Sequence, residues 1–274
     1  MRKALLPVFP AYATLADIAG WYALRALCIG VLLFLLLPIL VIIPLSFSSS
    51  SFLAYPIPDW SLQWYDNLFS SDDWARATRN SFIVAPLATL LATVLGTMAA
   101  VGLARVNFFG KGLLMSLLIA PMVVPIVVVG VSTYLFFAKI GLADTYTGLV
   151  LVHAALGAPF VLTTVLATLQ GFNHNLVRAS LSLGAGPLHT FFRITLPIIA
   201  PGVISGGLFA FATSFDEVVV TLFIAGPTQS TLPRQMFNGI RENISPTIAA
   251  VATLLIIFTT ALMLGLEWLR GRRR

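Results

Sequence analysis

Six long apolar runs separated by shorter polar stretches set the pattern of this chain. They lie near Leu27–Phe47, Phe82–Ala104, Leu113–Phe137, Leu149–Leu169, Pro201–Ala225 and Thr247–Trp268. Each reaches the roughly 20 residues an α-helix needs to cross the hydrocarbon core of a bilayer. None shows the strict alternation of a barrel strand, and a spanning segment must satisfy its backbone groups internally, so the runs predict helices. The expected architecture is an all-α membrane protein with six transmembrane helices. Residues 1–26 form a cytoplasmic N-terminal segment, 27–268 the transmembrane domain and 269–274 a basic cytoplasmic tail. With Pro7, Pro10 and Asp17 ahead of it, the first run starts too late and is too long for the apolar core of a cleavable signal peptide.

Composition agrees with a bilayer location. Of 274 residues 58% are hydrophobic and 9% charged, against about 25% charged in an ordinary soluble domain. The single cysteine, Cys28, excludes an internal disulfide or a thiolate metal site and reads as a small buried apolar residue. The net charge of +6 does not point to nucleic acid, because the basic residues sit at the ends of the runs and not on one soluble face. Arg2, Lys3, Arg25, Arg105, Lys111, Arg178, Arg193, Arg270 and Arg272 to Arg274 fall on one side of the predicted bilayer. Asp59, Asp66, Asp72, Asp73, Asp144 and Glu242 fall on the other, with Lys139 and a few Arg. The positive-inside rule then puts both termini in the cytoplasm. The closing Arg-Gly-Arg-Arg-Arg is an anchor against anionic headgroups.

Chemistry within the chain is sparse. Gly110-Lys111-Gly112 lacks the glycine five residues before Gly110, where Arg105 stands, so it cannot form a phosphate-binding P-loop. His153, His174 and His189 have no second histidine or carboxylate at ligand spacing. No catalytic residue, metal ligand or resident cofactor is expected, and any chemical energy must come from another chain.

Two polar features interrupt the apolar pattern. The first is the loop 171–199, which contains Arg178–Pro197, RASLSLGAGPLHTFFRITLP. Leu176, Ala179, Ser180 and Leu183 recur at helical spacing and place a small, partly apolar stripe on one face of a short helix. Gly184, Gly186 and Pro187 predict a sharp turn before a second short helix through Phe191 and Phe192. Two short helices about a tight corner make a knob whose exposed Leu and Phe need a partner surface. The second is Ser214-Phe215-Asp216-Glu217 inside the fifth run. A central charge there costs about 2.5–3.5 kcal/mol on insertion scales, so these carboxylates must face water, a counter-charge or a cargo, or pair with the neighbouring bundle. Adjacent helical side chains point about 100° apart, so the two are expected to divide their roles.

The loop resembles the cytoplasmic Glu-Ala-Ala loop of ABC importer permeases: Arg178-Ala179-Ser180, then Gly184 and Ala185, then Ile194-Thr195-Leu196-Pro197, with Arg178 where the family usually has Glu. FATSFDEVVV at Phe211–Val220 and the later Leu232-Pro233 resemble spermidine/putrescine-type permeases, a likeness running from about Ser61 to Leu266. The resemblance implies the type I importer permease fold. It also implies a transport subunit of the bacterial inner membrane that is not itself an enzyme. Its partners would be two copies of an ATPase subunit, which holds ATP and Mg, a second permease, for which the resemblance favours a different chain, and a periplasmic or lipid-anchored solute-binding protein. Arg178, Ala179, Ser180, Gly184, Ala185, Ile194, Leu196 and Pro197 would then couple to the ATPase. Ser214, Asp216 and Glu217 would lie on the path of a small solute, with polyamines first. The alternative is a secondary transporter using Asp216 or Glu217 as a proton or cation site; the lack of a visible internal repeat counts against it. Trp60, Trp64, Tyr65 and Trp74 read as rings at the water interface. That stretch, with the loop Gly226–Pro246, would also help to seat the binding protein. Pro121 and Pro125 in the third run, and Gly206 and Gly207 in the fifth, allow either bending or close helix packing.

Overall fold

The computed structural model describes residues 12–242 and 244–271. Arg2, Lys3 and Arg272 to Arg274, expected on the cytoplasmic side, lie outside the described residues. The chain divides into two compact units, 1–68 with 244–274 and 69–243.

In the first unit, α1 (Leu15–Leu45) begins well before the expected start at Leu27. The cause is a capping box: the Thr14 hydroxyl accepts from the Asp17 amide at 3.2 Å, and the Asp17 carboxylate accepts from the Thr14 amide at 2.9 Å. The helix is apolar on all sides and exposed along most of its length. Such a surface suits lipid. Cys28 shares that exposed surface and is not buried as expected. The chain then folds back on itself. The Ser61 amide donates to the Phe47 carbonyl (2.7 Å) and the Ser49 amide to that of Asp59 (2.9 Å). Trp64 Nε1 donates to the Ser48 carbonyl (2.7 Å), and Tyr65 Oη lies 2.8 Å from Ser46 Oγ. Trp64 and Tyr65 therefore pin a turn, a role that ring spacing alone does not disclose. This turn leads into α2 (Gln63–Ser70). The last helix, α12 (Thr247–Gly271), packs on α1.

The second unit is built on three long helices, α3 (Asp72–Arg105), α6 (Tyr146–Gln170) and α9 (Leu196–Phe215), which pack on one another. Their seam is lined by small residues, among them Ala88, Ala92, Ala100, Ala154 and Ala210 around Val161 and Val165. Lipid tails are as apolar as leucine, so close backbone approach and dispersion, not water exclusion, hold such helices together. Gly96 and Gly206 mark two tight points. A Cβ on Gly96 would come within 2.7 Å of Val161 Cβ, and one on Gly206 within 2.7 Å of Val161 Cα. For Gly206 the packing reading thus holds.

The third apolar run is not one straight helix. It divides into α4 (Lys111–Val123) and α5 (Ile126–Ile140), bent by 103° at Val124-Pro125. Pro125 has no amide to donate and forces Val124 into extended backbone, ψ 135°. Pro121, by contrast, stays inside α4. The fifth run also breaks: α9 stops at Phe215, and α10 (Val219–Ile224) is a separate helix that packs on α5. Phe137, Val152, Leu156, Val220 and Ile224 form the small core there. Among the described residues four helices or continuous helical stretches are long and apolar enough to span a bilayer, five if the bent α4–α5 pair counts as one span. The apolar part of α12, Thr247–Ala261, falls on the sixth predicted run but is shorter.

Candidate functional site

The loop between α6 and α9 folds as a corner set by a glycine. α7 (Asn175–Ser182) ends in a Schellman motif: the Gly184 amide donates to the Leu181 carbonyl (3.0 Å) and the Ala185 amide to that of Ser180 (3.2 Å). Gly184 sits at φ +84°, a conformation that other L-residues adopt only with strain. The chain then turns into α8 (Pro187–Thr190). Arg178 and Ala179 are exposed on α7. Ser180, expected on the same outer stripe, is turned inward and bonds Thr190 Oγ1 at 2.9 Å across the corner. Leu183 and Leu188, 88% and 75% exposed, form the apolar tip.

The second short helix is not a separate one. α8 continues through a π-helical turn, Phe191–Thr195, directly into α9, so 187–215 is one continuous helical stretch. The Leu196 amide donates to the Phe191 carbonyl, five residues back. Pro197 has no amide for the Arg193 carbonyl and its ring crowds that carbonyl, which accounts for the widening. Ile194 and Leu196 are half-buried in this join, and Pro197 is exposed. A displacement of the corner is therefore carried along α9 without an intervening loop.

At its far end α9 reaches the acidic pair. Asp216 is the C-cap residue and is exposed, while Glu217 is half-buried in the break before α10. The two carboxylates are thus not neighbours on one helix, and the 100° argument does not apply to them. Glu217 Oε1 accepts from the Val220 amide at 2.7 Å, capping the first turn of α10. Ser214 is buried. It meets His153 of α6, which sequence spacing passed over: His153 Nδ1 lies 2.9 Å from Ser214 Oγ and 3.1 Å from the Ser214 carbonyl, and Nε2 lies 3.0 Å from Thr221 Oγ1 of α10. One fully buried ring spans the break. A second observation locates the break in the core: Phe215 is buried with its ring edge-on to Phe82 at 5.5 Å.

Beyond α10 a polar cluster fixes the loop that precedes α11 (Leu232–Glu242). Asn80 Nδ2 donates to the carbonyls of Thr228 (2.9 Å) and Ser230 (2.8 Å), Tyr146 Oη donates to Asn80 Oδ1 (2.8 Å), and the Leu232 amide donates to Ser81 Oγ (2.7 Å). Arg234 Nη1 donates to the carbonyls of Ala225 and Gly226 at 2.6 and 2.9 Å, closing the C-terminus of α10. Burial pushes this guanidinium below its ordinary range, and the Asp144 carboxylate partly offsets the effect. The loop is shaped, as its Pro and Gly predict, but Asn80 and Tyr146 sit in α3 and α6 and carry no local signal of that task. Among the described residues no three His, Cys, Asp or Glu side chains group closely enough to hold a metal ion.

Residues 92–274 match the family described as binding-protein-dependent transport system inner membrane component. The chain is 32% identical over 231 residues to the spermidine/putrescine transport system permease protein PotC of Haemophilus influenzae, covering 84% of this chain and 89% of the relative. It is 35% identical over 230 residues to the putrescine transport system permease protein PotI of Escherichia coli, covering 81% and 82%. In fold it is similar to a chain of a bacterial ABC transporter involved in import of the acidic polysaccharide alginate. That likeness has a TM-score of 0.73 at 14% identity, over 96% of this chain and 99% of the other.

Proposed function

Because the chain belongs to the family of binding-protein-dependent transport system inner membrane components, and is thus a permease subunit of an ABC importer, we propose that it forms half of a pathway for polyamines such as spermidine or putrescine. The observation that carries the substrate class is the 32–35% identity to spermidine/putrescine and putrescine permeases over more than four fifths of the chain. An exposed Asp216 at a helix break adds a chemical reason, since a polycation needs negative charge along its way. The partners are two copies of an ATPase subunit, a second permease and an external solute-binding protein, with both termini of this chain cytoplasmic.

Mechanism follows from the connectivity. The ATPase grips the apolar tip at Leu183 and Leu188, together with Arg178 and Ala179. When ATP draws the two ATPase copies together, the corner moves, and Gly184 and the Ser180–Thr190 bond keep its shape as it does so. The π turn at Phe191–Thr195 passes the displacement into α9. At the opposite end of α9 lie Ser214, Asp216 and Glu217, with α10 tied to α6 through His153, so the pull reaches the carboxylates instead of being lost in a flexible loop. Cargo released outside then crosses between the two permeases by alternating access, and no covalent step occurs in this chain.

A binding screen on the cognate solute-binding protein tests the substrate class. Retention of spermidine or putrescine supports the reading; selective retention of an anion or a sugar, with no polyamine bound, overturns it.

A further inference from the structure

A groove beside the corner shares Leu188 and Phe192 with the mechanism above, which gives the groove itself no role. One wall is a single stripe of α3, Thr93, Thr97, Val101 and Arg105, spaced four residues apart; the other includes Leu188 and Phe192 of the corner. Its volume is about 600 Å³. From Thr93 to Arg105 the helix rises about 18 Å, slightly more than half of the roughly 30 Å hydrocarbon thickness, so the groove runs the depth of one leaflet. Thr93, Thr97 and Arg105 apart, the slot is lined by apolar side chains and glycine, a surface that suits an acyl chain.

The mouth of the slot has its own chemistry. Arg105 is the last residue of α3, is exposed, and forms no ion pair among the described residues. The neighbouring Lys111 is already held by the Val106 carbonyl (3.0 Å) and Asn107 Oδ1 (3.1 Å) of its own loop. The sequence has no Asp or Glu from 74 to 143 or from 145 to 215, so neither loop at this end of the unit offsets the guanidinium. A guanidinium favours phosphate, with which it forms paired hydrogen bonds, and basic groups at this depth draw anionic headgroups.

We propose that this groove binds one anionic phospholipid, its acyl chain lying along Thr97 and Val101 and its phosphate on Arg105. In the orientation proposed above this leaflet is the cytoplasmic one, and that assignment alone rests on that reading. Because Leu188 and Phe192 form part of the wall, the bound chain braces the corner against α3.

The test uses the intact assembly containing this chain, exchanged into nanodiscs of equal dioleoyl phosphatidylglycerol and dioleoyl phosphatidylcholine, with retained lipid counted by native mass spectrometry after mild delipidation. Wild type should hold one phosphatidylglycerol per copy of this chain. Arg105→Gln should lower its preference for phosphatidylglycerol over phosphatidylcholine about fivefold, the equivalent of about 1 kcal/mol for one basic residue near the surface. Gly102→Phe should abolish retention, since nothing lies within 4 Å of a Cβ at that groove position and the ring can fill the slot without displacing the protein's own atoms. Equal phosphatidylglycerol retention in all three proteins overturns the site. So does displacement of the lipid by soluble glycerol phosphate, which would make Arg105 a site for a soluble anion. So does efficient disulfide cross-linking of Gly102→Cys to a second permease in native membranes, which would put protein in the groove. Lipid mass is read without reference to cargo, so failure here is separate from failure of the polyamine assignment.

Discussion

His153 Nδ1 of α6 lies 2.9 Å from Ser214 Oγ at the end of α9, while its Nε2 lies 3.0 Å from Thr221 Oγ1 in α10. Both sides of a helix break are thus tied to one ring on a third helix. His153→Phe keeps much of the volume and removes both bonds; the buried Ser214 hydroxyl loses its partner at a cost of about 1–3 kcal/mol, while Thr221 Oγ1 keeps the Glu217 carbonyl at 3.2 Å. We expect a lower thermal midpoint in detergent and uptake reduced about tenfold. Ser214→Ala should be milder, because the Ser214 carbonyl still reaches Nδ1 at 3.1 Å. Thermal unfolding and uptake measured on the same preparations check both.

Gly184 supplies the positive φ of the corner. Gly184→Ala carries a backbone penalty of about 1–2 kcal/mol and Gly184→Asn a smaller one, whereas proline cannot adopt φ +84° at all. The series should lose binding-protein-stimulated ATPase activity in the order Asn, Ala, Pro while membrane insertion stays normal. Full uptake by a normally expressed Gly184→Pro variant would contradict the corner's role.

The two carboxylates should separate by function. Glu217 caps α10 through the Val220 amide; Glu217→Gln retains an acceptor and should assemble normally, whereas Glu217→Leu removes the cap, worth about 1 kcal/mol, and should loosen α10. Asp216 has no such structural task. Asp216→Asn should leave assembly and ATP hydrolysis intact and depress uptake of a polycation. Wild-type uptake by Asp216→Asn would remove it from the path.

Asn80→Ala removes the donor to the Ser230 carbonyl, one of two donors to the Thr228 carbonyl and one of two acceptors of Tyr146 Oη, leaving the 3.3 Å bond from Tyr146 Oη to the Thr228 carbonyl. The loop 226–231 should become susceptible to a protease added from outside, with little change in thermal midpoint. Unchanged cleavage would show that Ser81 and Arg234 hold the loop without it.

The seam gives a stability prediction of a different kind. In Gly206→Val the first added carbon would sit 2.7 Å from the Val161 Cα, part of the backbone of α6, which cannot rotate away as a side-chain tip can. Overpacking of this sort costs about 1–3 kcal/mol or more. We expect loss of folded protein by size-exclusion profile, and a monodisperse Gly206→Val variant would show that α6 and α9 can part there.

Helices and their rough positions were legible because lipid demands long, unbroken apolar runs. The corner was legible because Gly184, Gly186 and Pro187 are strong local signals. Where helices break inside apolar runs, hydropathy has no vote: Val124-Pro125 and Asp216-Glu217 lie within stretches whose average stays apolar. Pro125 announced a possible bend but not its size, which depends on what α5 packs against. The inward turn of Ser180 was hidden because its partner Thr190 lies across the corner. His153 and Asn80 were invisible as site residues for a related reason. Their partners lie 61 to 68 and 66 to 150 residues away in the chain, so neither spacing nor periodicity could connect them.

The most direct measurement is spermidine uptake into proteoliposomes holding this chain with its ATPase, its second permease and the cognate binding protein. The account predicts uptake that requires ATP inside the compartment where the 178–197 corner is exposed, requires the binding protein on the opposite face, and is abolished by Gly184→Pro without loss of the permease from the vesicles. Spermidine uptake by this chain alone, driven by an ion gradient and indifferent to ATP, would contradict it.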